Sequence, residues 1–262
     1  MSEPSQQKVY LQRDQPAGVP PLALTGERTL PDVPEENYWY RRHLVVYEWI
    51  RDRVGGLKVI DMACGEGYGS SVLGQVAGEV VGVDANPEAH EHARLRYTTN
   101  NVRFARDLVE TFAEPADAVV FLQTIEHVQN PDEILERFKT LVAGSASPLV
   151  VVSTPNVLTL APEGAEKSEN PWHVKEYRPE EFRALCAAHF GSVELYGLFH
   201  ARKLAAHEFA IKKLGWDAIH ARLGITKRFY DWFTPAISAK DFILTTDRPL
   251  EHALDFVAVC RP

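Results

Sequence analysis

A chain of 262 residues, 45% of them hydrophobic, is long enough to bury the core of one α/β domain with additions. Its formal charge of −8, with no lysine–arginine run longer than two residues, lacks the basic footprint that phosphate backbones demand, so no nucleic-acid partner is expected. Three irregularly spaced cysteines (Cys64, Cys186, Cys260), no leader-like stretch after Met1 and no apolar run of about 20 residues lead to the expectation of a cytoplasmic chain that does not enter a membrane.

Residues 1–36 carry prolines at 4, 16, 20, 21, 31 and 34 and predict an extended arm or cap, with the main domain over 37–262. A helix is expected from about Glu35 to Val54, because Tyr38, Trp39, Val46, Tyr47 and Ile50 recur at helical spacing. Strands at 57–62, 79–84, 101–106, 117–123, 148–153, 193–199 and 254–260 then alternate with helices at about 68–76, 87–97, 131–142 and 179–188. Asn86-Pro87-Glu88 and Asn130-Pro131-Asp132-Glu133 have the cap, proline and early acids of helix starts. The alternation predicts an α/β fold with a seven-stranded, mostly parallel sheet and helices on both faces. Ligands of such sheets bind outside the carboxyl ends of the strands.

Before the last strand, residues 200–252 combine a helical pattern (Leu204, Ile211, Leu214, Ala218, Leu223) with the aromatics Phe229, Tyr230, Trp232 and Phe233. A helical insertion over the carboxyl edge is expected there. Its aromatics form its own core, an acceptor pocket or a homodimer contact.

The chemistry begins at Lys58-Val59-Ile60-Asp61-Met62-Ala63-Cys64-Gly65-Glu66-Gly67-Tyr68-Gly69, followed by Val80-Val81-Gly82-Val83-Asp84. Glycines let a backbone turn tightly and approach a ligand, and a carboxylate at the next strand's tip accepts bonds from both hydroxyls of a ribose. An adenosine-containing cofactor follows. A dinucleotide fingerprint would place its third small residue at position 70, which is Ser70; the glycine here is Gly69. Asp61, poorly placed for a pyrophosphate, suits a ligand carrying an ammonium and a sulfonium.

The D-x-x-x-G-x-G-x-G pattern resembles motif I of class I S-adenosylmethionine (SAM)-dependent methyltransferases, and Asp84 resembles their ribose-binding acid. The resemblance implies that fold, a Rossmann-like sheet, and SAM as cofactor. Asp61, Cys64, Gly65, Gly67, Tyr68, Asp84, Ala85 and Gln123 are then expected at the cofactor, with the Asp107 carboxylate on the adenine amino group and the Leu108 amide beside it. Arg42, on the first helix, is expected to pair with the SAM carboxylate.

Gln123-Thr124-Ile125-Glu126-His127 resembles the E-x-x-E-H element of ubiquinone-pathway O-methyltransferases and small-RNA 2′-O-methyltransferases, whose acids and histidine hold a divalent metal. Here Gln123 replaces the first acid, and His173 is the candidate second histidine. Two devices follow: Glu126, His127 and His173 hold Mg²⁺ or Mn²⁺, or His127 is a general base without metal. Leu24-Thr25-Gly26-Glu27-Arg28-Thr29-Leu30-Pro31-Asp32, Glu36-Asn37-Tyr38-Trp39-Tyr40-Arg41-Arg42-His43 and Gly197-Leu198-Phe199-His200 resemble the actinobacterial sugar O-methyltransferases of polymethylated polysaccharide synthesis. That likeness implies a small oligosaccharide acceptor: the 1-OH of a 3-O-methylated mannoside, with the 6-OH of a glucoside as the alternative. A quinone-precursor or natural-product O-methyltransferase shares the core motifs. Trp39, Trp172 and Tyr177 supply aromatic faces suited to a sugar.

Overall fold

The computed structural model describes residues 9, 10, 12, 15–25, 28–162 and 164–262; residues 1–8, from which the chain start was read, and Gly26 and Glu27 of the arm motif lie outside the described residues. In the arm, β1 (Val9–Tyr10) and β2 (Leu22–Ala23) pair antiparallel. Helix α1 (Asn37–Arg51) follows, and then β3 (Lys58–Met62), α2 (Tyr68–Leu73), β4 (Glu79–Val83), α3 (Pro87–Arg96) and β5 (Val102–Ala105). The second half-sheet is built from β6 (Ala118–Leu122), α4 (Pro131–Val142), β7 (Leu149–Pro155), α5 (Val157–Leu160), α6 (Pro179–Ala187) and β8 (Ser192–His200). Three helices, α7 (Arg202–Leu214), α8 (Trp216–Leu223) and α9 (Thr226–Phe233), precede β9 (Phe242–Thr245) and β10 (Asp255–Arg261).

The main sheet has the order β5-β4-β3-β6-β7-β10-β8-β9. Strands β5 to β7 are parallel along that order, whereas β10 runs antiparallel to both β7 and β8. The chain winds outward from β3 to β5 and returns to β6 on the other side, so a crevice opens beyond the carboxyl ends of β3 and β6.

The sheet is therefore eight-stranded, not seven-stranded. The additional strand, β9, lies inside the segment expected to be helical and pairs antiparallel with β8 at Phe199–Ile243. Four residues, three of them apolar, carry no periodicity that separates strand from helix, and only the edge of β8 decides the matter. Of the two asparagine helix starts, Asn86 caps α3 through its side chain, accepting from the amides of Glu88 and Ala89 at 2.9 Å. Asn130 precedes α4 without a side-chain cap bond.

Alternate strand residues face opposite layers. Ile60, Phe121 and Val152 pack with Leu135 and Phe138 of α4 and Phe182 of α6. Val59, Val120 and Val151 pack with Val46 and Ile50 of α1, Leu73 of α2 and Leu204 of α7. Among the described residues, no helix is long and apolar enough to cross a membrane.

Helix α1 is tied to the start of β10 by a buried ion pair. Arg42 Nε donates to Asp255 Oδ2 at 2.7 Å, its Nη2 donates to Oδ1, and the same Nη2 reaches the Leu254 carbonyl at 2.9 Å. Both side chains are almost fully enclosed, at 7% and 2% exposure. A two-pronged guanidinium–carboxylate contact of this kind fixes orientation, and removing one partner strands the other charge. Arg42→Ala is therefore expected to destabilise the fold by about 3–5 kcal/mol, whereas Arg42→Met with Asp255→Leu costs much less. Urea unfolding of the three proteins checks this, and equal losses in single and double variants would refute it.

Candidate active site

Strand β3 ends at Met62, and Ala63 turns through a left-handed conformation (φ 56°) into the glycine loop. Gly67, at φ 96°, lets α2 start at Tyr68. Gly69 has a different reason: a Cβ there would lie 2.1 Å from Cζ of Tyr47, whose ring crosses the first turn of α2. The Tyr47 hydroxyl then reaches Asp61 Oδ1 at 3.1 Å, and Ser70 Oγ donates to Asp61 Oδ2 at 2.7 Å. Asp61 is thus enclosed one layer beneath the loop instead of facing the crevice directly. Burial pushes its carboxyl up to about 7, although both hydroxyl donors oppose that shift. Burial likewise raises the Cys64 thiol far above its ordinary value, leaving it unreactive.

Asp84, immediately past β4, is held by two backbone amides at 2.8 Å, Gly65 N on Oδ2 and Asn86 N on Oδ1. It stands between two cavities that share Ala63, Thr124 and His127. The first, about 290 Å³, is lined by Cys64, Gly65, Tyr68, Tyr47 and Gln123, with Arg28 and Thr29 of the arm forming its roof. The second, about 380 Å³, runs past Ala85 and Leu108. The pair makes an elongated cleft with a carboxylate at its middle. Glycine turn, fixed carboxylate and flanking cavities fit an adenosine group joined to an amino-acid tail.

The loop's other acid, Glu66, is not a residue that the glycine motif marks. It is 1% exposed and receives Gln12 Nε2 at 2.9 Å, Tyr97 OH at 2.7 Å and the Tyr68 amide at 3.0 Å, with His92 Nε2 at 3.1 Å and Arg96 Nε at 3.2 Å. Arg96 also donates to Gln12 and Asp32, and His92 Nδ1 to the Pro20 carbonyl. The arm is therefore fastened over the cleft through one buried carboxylate. An acid flanked by glycines, next to an arm rich in polar residues, was the only sequence signal for it.

Strand β6 delivers Gln123 in a left-handed conformation (φ 50°) and then a 3₁₀ turn, Ile125–His127. Gln123 Nε2 donates to Ser153 Oγ at 3.1 Å. Glu126 is buried, accepts from Thr154 Oγ1 at 3.1 Å, and its backbone carbonyl accepts the amides of Val174 and Lys175. That clamp brings the 170–177 segment against the β6 tip. His127 Nδ1 donates to the Trp172 carbonyl at 3.1 Å, and His173 Nδ1 donates to Glu176 Oε1 at 2.6 Å. Because a carbonyl or carboxylate only accepts, Nε2 is the basic nitrogen of each neutral ring. His173 Nε2 meets the Asn170 amide at 3.0 Å.

One ligand atom from each of Glu126, His127 and His173 lies within 4.8 Å of the others. With a buried carboxylate behind His173, this donor set fits a divalent transition ion. A further cavity of about 370 Å³ opens on this cluster, walled by Trp39, Leu160 and Pro155, and shares Arg28, Thr29, His43, Gln123 and His127 with the first. His43, in the partition, is driven down to about 4 by burial and so stands neutral between the two.

Two residues expected at the cofactor have partners within the chain. Arg42 is engaged by Asp255 and lines the cavity beside Glu126, not the one beside the glycine loop; the sole Lys or Arg side chain lining the latter, among the described residues, is Arg28. Asp107 turns back on its own loop: its Oδ1 accepts from Thr111 Oγ1 at 2.6 Å and from the Leu108 amide at 2.8 Å, which uses the donor expected for adenine. Those bonds hold its carboxyl below the usual range. The Leu108 side chain remains on the cleft.

Residues 35–208 match the methyltransferase domain family. A probable SAM-dependent methyltransferase of Mycobacterium tuberculosis is 34% identical over 250 residues, covering 91% of this chain and 89% of its own. A ubiquinone biosynthesis O-methyltransferase of Glaesserella parasuis is 25% identical, covering 65% of this chain and 81% of its own. Among solved structures, a SAM-dependent methyltransferase from Thermotoga maritima, described as a possible histamine N-methyltransferase, superposes with a TM-score of 0.56 at 14% identity, over 87% of this chain and 94% of its own; that likeness speaks for the fold alone. The sheet order with its reversed strand, the glycine turn with Asp84 and these matches agree: the chain belongs to the class I SAM-dependent methyltransferases.

Proposed function

We propose that the chain methylates a hydroxyl group of a small oligosaccharide, the 1-OH of a mannoside in first place, with the 6-OH of a glucoside or a quinone-precursor or natural-product hydroxyl as alternatives. The observation that carries O-methylation is His127, shared by the cofactor cavity and the cavity beyond it, with its Nδ1 proton committed to a carbonyl. An alcohol is a poor nucleophile until its proton is taken, and a neutral imidazole with a basic Nε2 is suited to that task. The sugar reading is supported by the likeness of the arm and first-helix motifs to sugar O-methyltransferases. Trp39, 42% exposed, lines the acceptor cavity, and Trp172, 63% exposed, adjoins His127.

In this reading the cleft around Asp84 holds SAM, with Asp84 on the ribose, Ala85 and Leu108 toward the base, and Arg28 on the amino-acid carboxylate. Bound SAM supplies an electrophilic methyl on a sulfonium. His127 accepts the acceptor's proton at Nε2, and the Trp172 carbonyl keeps the ring in the required tautomer. Neutral His43 adds no charge to the partition through which the methyl passes. Glu126, His127 and His173 give a second reading, a site for Mn²⁺ or Mg²⁺ that would lower the acceptor's pKa. Gln123 in place of a carboxylate favours the softer ion.

Mass spectrometry of methyl transfer to a panel of manno- and gluco-oligosaccharides and catechols tests the acceptor; transfer confined to catechols would reject the sugar. In the same assay His127→Ala is expected to lose about 10²–10⁴-fold in rate with unchanged S-adenosylhomocysteine binding. Full activity in EDTA would eliminate the metal reading.

Arg28→Ala is expected to weaken SAM binding about ten- to a hundredfold, the magnitude of one charge-assisted contact, whereas Arg42→Met with Asp255→Leu leaves SAM affinity nearly unchanged. Isothermal titration reads both, and the reverse order would restore Arg42 to the cofactor.

Asp61 gives a pH signature. A carboxyl raised to about 7 is largely neutral at pH 6 and charged at pH 8, and the charged form attracts a cationic ligand. For folding the sign is opposite: a raised acid pKa contributes stability present below the unfolded value near 4, and that contribution is lost as pH climbs through 7. SAM affinity is thus expected to rise severalfold from pH 6 to pH 8. Asp61→Asn should flatten that rise, and a wild-type slope in the variant would discard the assignment.

A further inference from the structure

The largest of the cavities described, about 580 Å³, is assigned no role by the methyl-transfer chemistry. It lies between α1, the end of β8 and the insertion helices α7 and α9, and it shares Trp39, Arg42 and Leu160 with the acceptor cavity. The volume is that of an ordinary small-molecule site, ~300–1,000 Å³.

Its polar groups are already matched to one another. Tyr38 OH donates to His200 Nε2 at 2.8 Å, His200 Nδ1 donates to Glu208 Oε2 at 2.8 Å, and Lys212 Nζ donates to Glu208 Oε1 at 2.6 Å. Arg42 is held by Asp255. What remains to meet an occupant is chiefly apolar: Leu160, Leu204, Ile211, Phe233, Ile237 and Leu254. His207 lines the same wall, with its Nε2 buried and without a hydrogen-bond partner among the described residues.

We infer that this cavity is a distal acceptor subsite that takes an apolar acyl portion of the substrate, so the acceptor is amphiphilic: a hydroxyl-bearing polar head at His127 and an apolar tail under α7. The inference rests on the reading that the cavity beside Glu126 receives the acceptor hydroxyl. Three features argue for this occupant. The two cavities share Trp39, Arg42 and Leu160 in their walls. A charged or strongly polar occupant would find the cavity's ionic groups already paired. And burying methylenes against Leu204 and Ile211 contributes about fourfold in affinity each when complete, which makes tail length a sensitive readout.

The test compares 6-O-octanoyl mannose, below its micelle-forming concentration, with mannose, both carrying a free 1-OH, binding to the full-length protein saturated with S-adenosylhomocysteine. Isothermal titration measures affinity, and SAM in a parallel assay measures methyl transfer. The octanoyl sugar is expected to bind at least about tenfold tighter than mannose. Ile211→Trp, which fills the cavity, and Ile211→Ser, which makes its wall polar, should each remove most of that advantage. Neither should alter S-adenosylhomocysteine affinity, which also shows that the variants fold. Equal affinity for the two sugars in the wild type, or a wild-type ratio kept in both variants, overturns the subsite. If octanoyl mannose binds in an Ile211-dependent way yet is not methylated at its 1-OH, the subsite stands and the 1-OH reading fails.

Discussion

The contact between Tyr47 and the backbone of Gly69 is the constraint from which the rest of the cleft follows. Any Cβ at position 69 would occupy the Tyr47 ring, so α1 can lie across the start of α2 only because that residue is glycine. The ring in turn carries its hydroxyl to Asp61, closing a carboxyl into the floor. On the opposite side of the same loop, Glu66 collects Gln12, Tyr97, Arg96 and His92. One turn therefore positions the first helix, the arm and the ligand edge together. Arg28 and Thr29 reach the cleft only because the arm is fastened there.

The parts legible in the sequence are those whose cause is local. Strands β3 to β8 and β10, the glycine turn, the Asn86 cap and the Glu126-His127 turn all follow from spacing within a few residues. The parts not legible share one cause as well. Arg42 reads as a cation at the cofactor mouth until Asp255, 213 positions later, is brought beneath it. Asp107 lies in register for adenine, yet Thr111 and its own following amide satisfy it first. Glu66 looks like a spacer between glycines because its partners come from the arm and from α3. Strand β9 exists because β8 has an edge to offer. In the insertion, Phe229 stacks on Phe233 and on the His207 ring, so those aromatics are mainly its own core, while Trp232 stays 70% exposed.

Separation of the cavities is also a matter of charge. The partition between the glycine-loop cavity and the cavity beside Glu126 contains His43, neutral because burial opposes its protonation, and Gln123, neutral by composition. Acidic groups near the reacting region are shielded: Glu126 by Thr154, Glu176 by His173 and Ser168, Asp61 by two hydroxyls. In the proposed reading a cationic methyl donor meets Asp84 in the cleft, while these other acids face it through hydrogen-bonded neighbours. That arrangement favours preorganised orientation over tight capture, which is where transition-state stabilisation is gained.

Backbone strain marks the same place. Ala63 and Gln123, the residues immediately after β3 and β6, both adopt positive φ, and neither is glycine. Left-handed backbone costs a side-chain-bearing residue about 1–2 kcal/mol, so two instances at neighbouring strand tips require compensation. The compensation is visible: Cys64 N bonds to the Val83 carbonyl at 3.0 Å, and Gln123 N bonds to the Ser153 carbonyl at 3.2 Å and Oγ at 3.1 Å. In each case the chain leaves its own strand and is caught by the next strand over, β4 on one side and β7 on the other. The two exits therefore diverge, and the crevice between them is held open by the hydrogen bonds that offset the strain. A relaxed exit at Gln123 would redirect the turn that carries Glu126 and His127, so the strained residue is the one that aims the candidate base.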